Sequence, residues 1–540
     1  MQGDIHEMIC TVRQKNGGDV VLQIQNATDA RARLNACDVT NFIDTGRSFR
    51  WFTSRLSVIQ FRHLSNLPIT FTHPVTAIAG ANRSGKTSVL LLIACSHERF
   101  MRPDATSSSV GIREHGWSDV LTFTSHETVA HDYQYEMNWR LANQSNLGVA
   151  KRLRTSRAWS GLGKKSSDPA RLNAKVRLRE VRFVDLERLL PARAFSESLY
   201  RKANGAATVP LHADVSQAFA YIFDTPVTAI AEAGSHVNRR CFVITRGADV
   251  YSTYNAASGE EAVIYLLKDL IESPPGTLVL IEEIEAGIHP SVLRKVINIV
   301  HLVAWRDKKQ VIFTTHSPTA FSAVGSESRR FIERANGVWR CIEGISTQAA
   351  SSKMDSTSHP LIQLYCEDNL AKFMITQQLV NLSEIDPHVS KLINVIPSGP
   401  IDQVLNDYVR HKRNYPFLRA KLGYCGVFDG DYLTDPIYSG YHENPDEHTL
   451  FIFPYDKPEK FLVRAYLTVH PNEILAAALE HLDHHVLFDQ MVAIGLAADV
   501  LDARNRCYEA FKTTPEYQKH SDDIQHLIQR AIADFSARPD

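Results

Sequence analysis

The segment Ile78-Ala-Gly80-Ala-Asn82-Arg-Ser84-Gly85-Lys86-Thr87-Ser88 constrains this chain more than any other, because it sets a GxxxxGKT pattern between an apolar strand, Val75-Thr-Ala-Ile-Ala, and an apolar helix. Gly80 and Gly85 permit the tight turn whose amides face phosphate oxygens, Lys86 reaches the β- and γ-oxygens, and Thr87 offers a hydroxyl to Mg²⁺. The helix that starts near Gly85 adds its positive dipole end to the same anion. Gly80, Asn82, Ser84, Gly85, Lys86, Thr87 and Ser88 are therefore the candidate phosphate-binding set, and ATP with Mg²⁺ is the expected ligand.

At 540 residues the chain exceeds one ordinary core and is expected to fold as two to four domains. Its 59 basic and 60 acidic residues cancel, so any nucleic-acid surface has to be local. The 8 cysteines are scattered without a CxxC pair, which argues against a zinc module or a disulfide framework. The acidic start, Met-Gln-Gly-Asp-Ile-His-Glu, does not read as a signal peptide, and no apolar run is long enough to span a bilayer. A cytoplasmic protein without membrane contact is expected.

Residues 1–53 read as an N-terminal extension with a hairpin around Asn16-Gly-Gly-Asp19. Alternation from Arg55 through Leu56, Val58, Ile59 and Phe61 to Ile69 and Phe71 predicts paired strands leading into the phosphate loop. Residues 151–182 carry Lys151, Arg152, Arg154, Arg157, Lys164, Lys165, Arg171, Lys175, Arg177, Arg179 and Arg182 against only Asp168 and Glu180, with Trp159 among them. This basic insertion reads as a solvated segment or as a surface for phosphates and stacked bases. Strand and helix signals at Phe242-Val-Ile-Thr, Ala262 to Ile271, Thr277 to Ile281 and Val311 to Thr315 indicate an α/β sheet within residues 54–345. The serine- and alanine-rich stretch 346–360 reads as a linker. A second α/β unit, 361–466, and a helical region, 467–540, follow it.

Three further elements accompany the phosphate loop. Leu278-Val-Leu-Ile281-Glu282-Glu283 is a strand ending in two carboxylates, with Glu282 on the metal side and Glu283 as general base. Val311-Ile-Phe-Thr-Thr-His316 delivers an imidazole that could sense the γ-phosphate. Ser258-Gly259-Glu260 opens an apolar helix and makes a second anion cradle. Each also has a plain structural reading, as a solvated strand end, a capped loop residue and an ordinary helix start.

In their joint spacing these elements resemble the ATP-binding-cassette ATPases of the SMC, RecF and OLD (overcoming lysogenization defect) kind. Ile59-Gln-Phe-Arg-His-Leu and Glu285-Ala-Gly-Ile-His-Pro290 resemble the OLD group more than membrane transporters. The resemblance implies that two ATPase units meet, with the serine-glycine cradle of one closing on ATP held by the other, as a homodimer or higher oligomer. Two departures stand out: Glu282 replaces the usual aspartate, and Arg83 occupies a position that is often small.

In the second unit, Leu364-Tyr-Cys-Glu367-Asp368 and Gly426-Val-Phe-Asp429-Gly430-Asp431 deliver carboxylates from two strand ends, the oxygen donors a hard cation needs. The spacing resembles a TOPRIM domain, which implies metal binding by Glu367, Asp429 and Asp431, with Mg²⁺ or Mn²⁺. Asp368 and Ala371 depart from the pattern. In Phe453-Pro-Tyr-Asp-Lys457-Pro-Glu459-Lys460, the resemblance implies a further acid at Glu459 and a base at Lys460 or Lys457. A strand-terminating turn remains open for Asp429-Gly430-Asp431, and a helix N-terminal acid for Glu459. His481, Asp483, His484 and His485, with His481 and His485 on one helix face, read as a solvated or packed helix more readily than as a metal site. Arg410-His-Lys-Arg413 reads as a guide for DNA or a solvated helix end.

The order of the two units is that of OLD nucleases and the Gabija nuclease subunit, which implies an ATP-gated DNA endonuclease in defence against phage. An ATPase sensor or scaffold with a degenerate second unit, acting with a separate effector protein or RNA, is the alternative. An SMC- or RecF-like repair ATPase is weaker, because no long heptad segment interrupts the ATPase half.

Overall fold

The computed structural model describes residues 24, 27, 29–37, 49–97, 99–103, 112–121, 126–127, 131–142, 144–156, 158–162, 179–190, 204–205, 207–233, 241–335, 337–354, 360–385, 388–418, 422–433, 435–442, 444, 447–453 and 457–537. The chain divides into two compact units, Met1–Gly344 and Ile345–Asp540. Among the described residues no helix is long and apolar enough to cross a membrane.

The centre of the first unit is an eight-stranded mixed sheet in the order Val338–Glu343, Arg329–Ala335, Val75–Gly80, Gln310–Thr314, Leu278–Ile281, Glu180–Val184, Arg99–Pro103, Ile112–His115. The six inner strands run parallel and the two edge strands are antiparallel. Strands Val75–Gly80, Gln310–Thr314 and Leu278–Ile281 are buried along their whole length. That accounts for their continuous apolar runs, since a parallel sheet is covered by helices on both faces.

A separate antiparallel sheet has the order Leu64–Thr70, Trp51–Phe61, Tyr133–Leu141, Gln144–Arg152, Ser160–Gly161. The alternation from Arg55 to Phe71 belongs here, in a hairpin pairing Leu56 with Ile69 and Phe61 with Leu64. Gln310 ties the two sheets together: its side chain donates to Thr53 O at 2.8 Å and accepts from Thr53 N at 2.8 Å. Arg179 donates to the same Gln310 oxygen at 3.0 Å.

Several expectations change. Phe242-Val-Ile-Thr lies outside the central sheet, in an antiparallel sheet ordered Thr208–Pro210, Ala229–Ala233, Cys241–Arg246, Asp249–Ser252. The two-residue connection after Arg246, with Gly247 at φ +58°, folds this strand back on Asp249 instead of feeding a parallel crossover. The basic insertion is partly interior. Arg152 and Arg179 are buried, and Trp159 stacks on Trp117 at 5.7 Å, which occupies the ring face a nucleic-acid base would need. Arg157, Lys164, Lys165, Arg171, Lys175 and Arg177 lie outside the described residues, as does the Asn16–Asp19 hairpin. Within the extension, helix Ala30–Asn35 buries Ala30 and Leu34, and Asn35 Oδ1 lies 3.0 Å from His73 Nε2.

The second unit contains a four-stranded, all-parallel sheet in the order Ile393–Pro397, Ile362–Cys366, Gly423–Asp429, Thr449–Ile452. Helices Asn369–Ile385, Ile401–Asn414 and Pro436–His442 fill the connections, as parallel pairing requires. Helices Glu473–His481, Leu487–Ala493, Val500–Phe511 and Pro515–Ala537 complete the unit. Phe535, on the last of these helices, packs edge-on against Tyr424 of the sheet at 5.1 Å. The stretch read as a linker contains a helix, Thr347–Met354, started by Ser346 Oγ accepting from Ala349 N at 3.2 Å and buried through Ala349 to Lys353. Its small alanine and serine side chains permit close packing, which composition alone reads as flexibility.

Candidate functional site

Pairing register explains why residues far apart in sequence meet at one sheet edge. Ile78 pairs with Thr314, and Ile281 with Phe313, so the phosphate loop, the Thr314–His316 corner and the Glu282-Glu283 pair emerge side by side. In the loop, Gly85 has φ +87°, and a Cβ there would come within 2.8 Å of Leu64. Its identity is thus dictated by backbone and neighbour together. Helix Lys86–Cys95 then starts without a side-chain cap, leaving its first amides available to an anion. Ser84, Lys86 and Ser88 are buried beneath the loop, Asn82 and Thr87 face solvent, and exposed Arg83 adopts φ +63°.

The Lys86 ammonium folds back on the loop, donating to Gly80 O at 2.9 Å and Ala81 O at 3.0 Å. Burial lowers its pKa to about 8, opposed by Glu283 and Glu285. A phosphate would supply the countercharge that this cation lacks. Thr87 Oγ1 donates to Glu282 Oε1, so the hydroxyl and the carboxylate expected on one Mg²⁺ already adjoin. The extra methylene of Glu282 therefore does not prevent the acid from reaching Thr87.

Glu283 sits at φ +43°, a strained conformation for a residue with a side chain. Thr314 Oγ1 accepts from its amide at 2.9 Å, and Arg188 Nη2 donates to its carbonyl at 2.5 Å. Arg188 also donates to Glu282 O at 2.9 Å and Asp185 O at 2.7 Å. This buried guanidinium clamps the backbone of both acids, and sequence reading missed it because it lies 95 residues from Glu283. Replacing Arg188 with Ala should destabilise the first unit by about 2–4 kcal/mol, as three carbonyls lose a charged donor. Chemical denaturation measures that loss, and ATP turnover should fall with it as Glu283 relaxes.

Glu285 holds the histidine corner, accepting from His316 N at 2.5 Å and Thr315 Oγ1 at 2.7 Å. His316 faces Lys86, Glu283 and Glu285, and burial followed by the Lys86 charge lowers its pKa, so the imidazole is held neutral. Ser258 is exposed at the start of helix Ser258–Glu272, whose N-terminus has no side-chain cap. A Cβ at Gly259 would meet Gly287 O at 2.8 Å, which places this helix start against the turn after the paired acids. Glu260 is raised by burial, opposed by Arg246 and a hydrogen bond from Tyr251, and so belongs to a local polar cluster.

In the second unit, Tyr365 pairs with Gly426 and Asp429 with Ile452, so Glu367 and Asp429 leave adjacent strands at the same edge. Asp429 N donates to Glu367 Oε1 at 2.8 Å. A Cβ at Gly430 would meet Phe453 O at 2.2 Å, so the residue between the two aspartates has room only for hydrogen. Oδ1 of Asp429 and Oδ1 of Asp431 are buried without a hydrogen-bond partner in the described structure. Burial, then repulsion from Glu367, Asp368, Glu459 and Asp431, pushes Asp429 far above the usual carboxylate range; Glu367 is raised by burial as well. Glu367, Asp429 and Asp431 lie near enough to repel one another, and as oxygen donors they are of the kind that a hard divalent cation takes.

The raised values carry a stability consequence. A carboxyl with a folded pKa above its unfolded one stabilises the fold at low pH and loses that contribution as pH rises from about 4 through the folded value. With a chelator present, the second unit should therefore weaken as pH increases across this window. Thermal melts at stepped pH should show the slope shrinking in Asp429→Asn.

Other residues divide between the site and the scaffold. Asp368 Oδ1 caps helix Asn369–Ile385, accepting from Leu370 N at 2.9 Å and Ala371 N at 2.8 Å. Lys457 pairs with Asp431 at 3.0 Å, and contact with that carboxylate holds it above its ordinary pKa against the effect of burial. Lys460 lies three residues further along, on helix Pro458–Val469, so the cation that contacts the acids is Lys457. Glu459 is buried in the first turn of that helix. His481 ends one helix while His484 and His485 form a separate 3₁₀ turn, so the expected shared face does not form. Arg410 pairs with Asp407, Lys412 with Glu447, and His411 is buried against Tyr365, so much of this basic run has partners within the fold.

Residues 228–322 match the family described as "AAA domain, putative AbiEii toxin, Type IV TA system". That segment includes Ser258, Glu282, Glu283 and His316 and excludes the phosphate loop. No curated protein matches the sequence. Among solved structures, the chain is similar to the SMC head domain from Thermotoga maritima at 14% identity and TM-score 0.34, covering 54% of this chain and 98% of that one. The Smc head bound to the C-winged helix domain of ScpA gives 13%, TM-score 0.35, 54% and 97%. A third, the Smc head with an extended coiled coil bound to the C-terminal domain of ScpA derived from Pyrococcus furiosus, gives 11%, TM-score 0.35, 54% and 96%.

Proposed function

We propose that this chain is an ATP-binding and ATP-hydrolysing protein of anti-phage defence, whose TOPRIM-like second unit cuts DNA with a divalent metal when nucleotide drives assembly of the ATPase units. The observation that carries the nuclease reading is the meeting of Glu367, Asp429 and Asp431 at one parallel-sheet edge, with two buried carboxylate oxygens that have no hydrogen-bond partner among the described residues. Mg²⁺ or Mn²⁺ on these acids would supply an activated water and neutralise phosphate charge. Lys457, beside Asp431, would meet the scissile phosphate, and Glu459 would be the further acid. In the ATPase unit, Lys86 and the loop amides would hold the phosphates, Thr87 and Glu282 the Mg²⁺, Glu283 the attacking water, and His316 would report the γ-phosphate. Ser258, at the start of its helix, is exposed and would face the nucleotide of a second copy, which supports a homodimer or higher oligomer.

The second reading, an ATPase sensor with a degenerate metal unit, draws on Asp368, whose Oδ1 is engaged as a helix cap, and on Ala371, where an acid is expected. Plasmid nicking by the full chain, with Mg²⁺ or Mn²⁺ and with or without ATP, separates the two. Cleavage lost in Asp429→Ala is the expected result. A wild-type chain that never nicks DNA selects the sensor.

A further inference from the structure

We infer that Glu459, His484 and His485 form a binding site for a borderline divalent cation of the zinc class, distinct in donor chemistry from the all-oxygen cluster. One donor atom from each residue lies within 4.8 Å of the other two. Glu459 is set by the first turn of helix Pro458–Val469 and its side chain is only 9% exposed. The histidines come from the 3₁₀ turn His484–Val486, which Asp483 starts by accepting from His485 N at 2.9 Å.

Glu459 Oε1 stands 3.6 Å from His485 Nδ1, beyond hydrogen-bond distance, so the pair is close without being bonded. The two imidazole ring centroids lie 3.8 Å apart, a separation that disfavours charging both rings at once. Asp483 Oδ1 stands 3.4 Å from His484 Nδ1, the kind of outer carboxylate that orients a ligating histidine. Bonds of about 2.0–2.2 Å require the donors to close slightly, and the His485 side chain, 71% exposed, can rotate to do so.

Two imidazoles and one carboxylate favour zinc-class ions over Mg²⁺, which prefers oxygen ligands alone. Three protein ligands leave a coordination position open to water.

Co²⁺ added to the metal-free full chain is the test, because its ligand-field bands distinguish a nitrogen-ligated centre from an all-oxygen one. Wild type should bind about one equivalent with intense bands. His485→Ala, at an exposed position, should remove the bands and weaken binding by at least the roughly 10–100-fold that loss of an outer partner costs. Glu459→Gln should act alike, while Asp429→Asn should retain the bands. Wild type without intense bands, or bands unchanged in His485→Ala, overturns the inference. Glu459 is shared with the nuclease reading and His485 is not, so the bands in His485→Ala test this site separately from plasmid nicking.

Discussion

Replacing Glu283 with Gln is expected to lower ATP turnover by about 10²–10⁴-fold, the usual contribution of a positioned general base, while leaving nucleotide binding intact. The side chain keeps its length and its backbone clamp. Arg188 and Thr314 hold the main chain of residue 283, so the strained φ of +43° should survive the change. Lys86→Ala should behave differently, weakening ATP binding by about 10–100-fold through loss of a charge-assisted contact. Fluorescent-nucleotide binding and phosphate release, measured on both variants, separate the roles. If ATP closes one unit on another, Glu283→Gln with ATP should accumulate the larger species in light scattering, and Lys86→Ala should not. Equal turnover in Glu283→Gln and wild type would remove Glu283 from the chemistry.

The second large effect is expected at Asp429. Its alanine variant should lose Mg²⁺- or Mn²⁺-dependent plasmid nicking by on the order of 10³-fold or more, since a catalytic metal contributes several kcal/mol to the transition state. ATP binding should be unchanged, because the phosphate loop belongs to the other compact unit. Stability should not fall with activity. Asp429 is buried among acids that repel it, so removing its carboxyl relieves repulsion in the metal-free chain. A variant that is inactive yet at least as stable as wild type without metal marks a functional residue; an unstable one would return Asp429 to the structural turn.

The phosphate loop was legible from sequence, down to which glycine must be glycine, because the phosphates are held by consecutive backbone groups. Glu282, Glu283 and His316 were legible at one remove, as polar residues closing apolar strands. Sequence spacing could not say that the histidine strand lies between the other two, nor that Thr87 meets Glu282. Arg188 carries no local pattern, and the stretch that begins at Glu285 did not reveal that residue's task, since both hold main chain that folding brings from elsewhere. Trp159 and Arg179 were misjudged for a related reason: composition counts charges and rings without knowing which are buried.

The same division runs through the second unit. Strands ending in Glu367 and in Asp429-Gly430-Asp431 follow from apolar runs closed by acids. The choice of Lys457 over Lys460, the use of Asp368 as a cap, and the meeting of Glu459 with His484 and His485 do not. By itself the sequence determined the local backbone devices, where neighbouring residues supply every needed group: the phosphate turn, the strand-end acids and the helix starts. Tertiary structure alone decided which side chains converge, because parallel register and helix packing set those distances through contacts between residues remote along the chain.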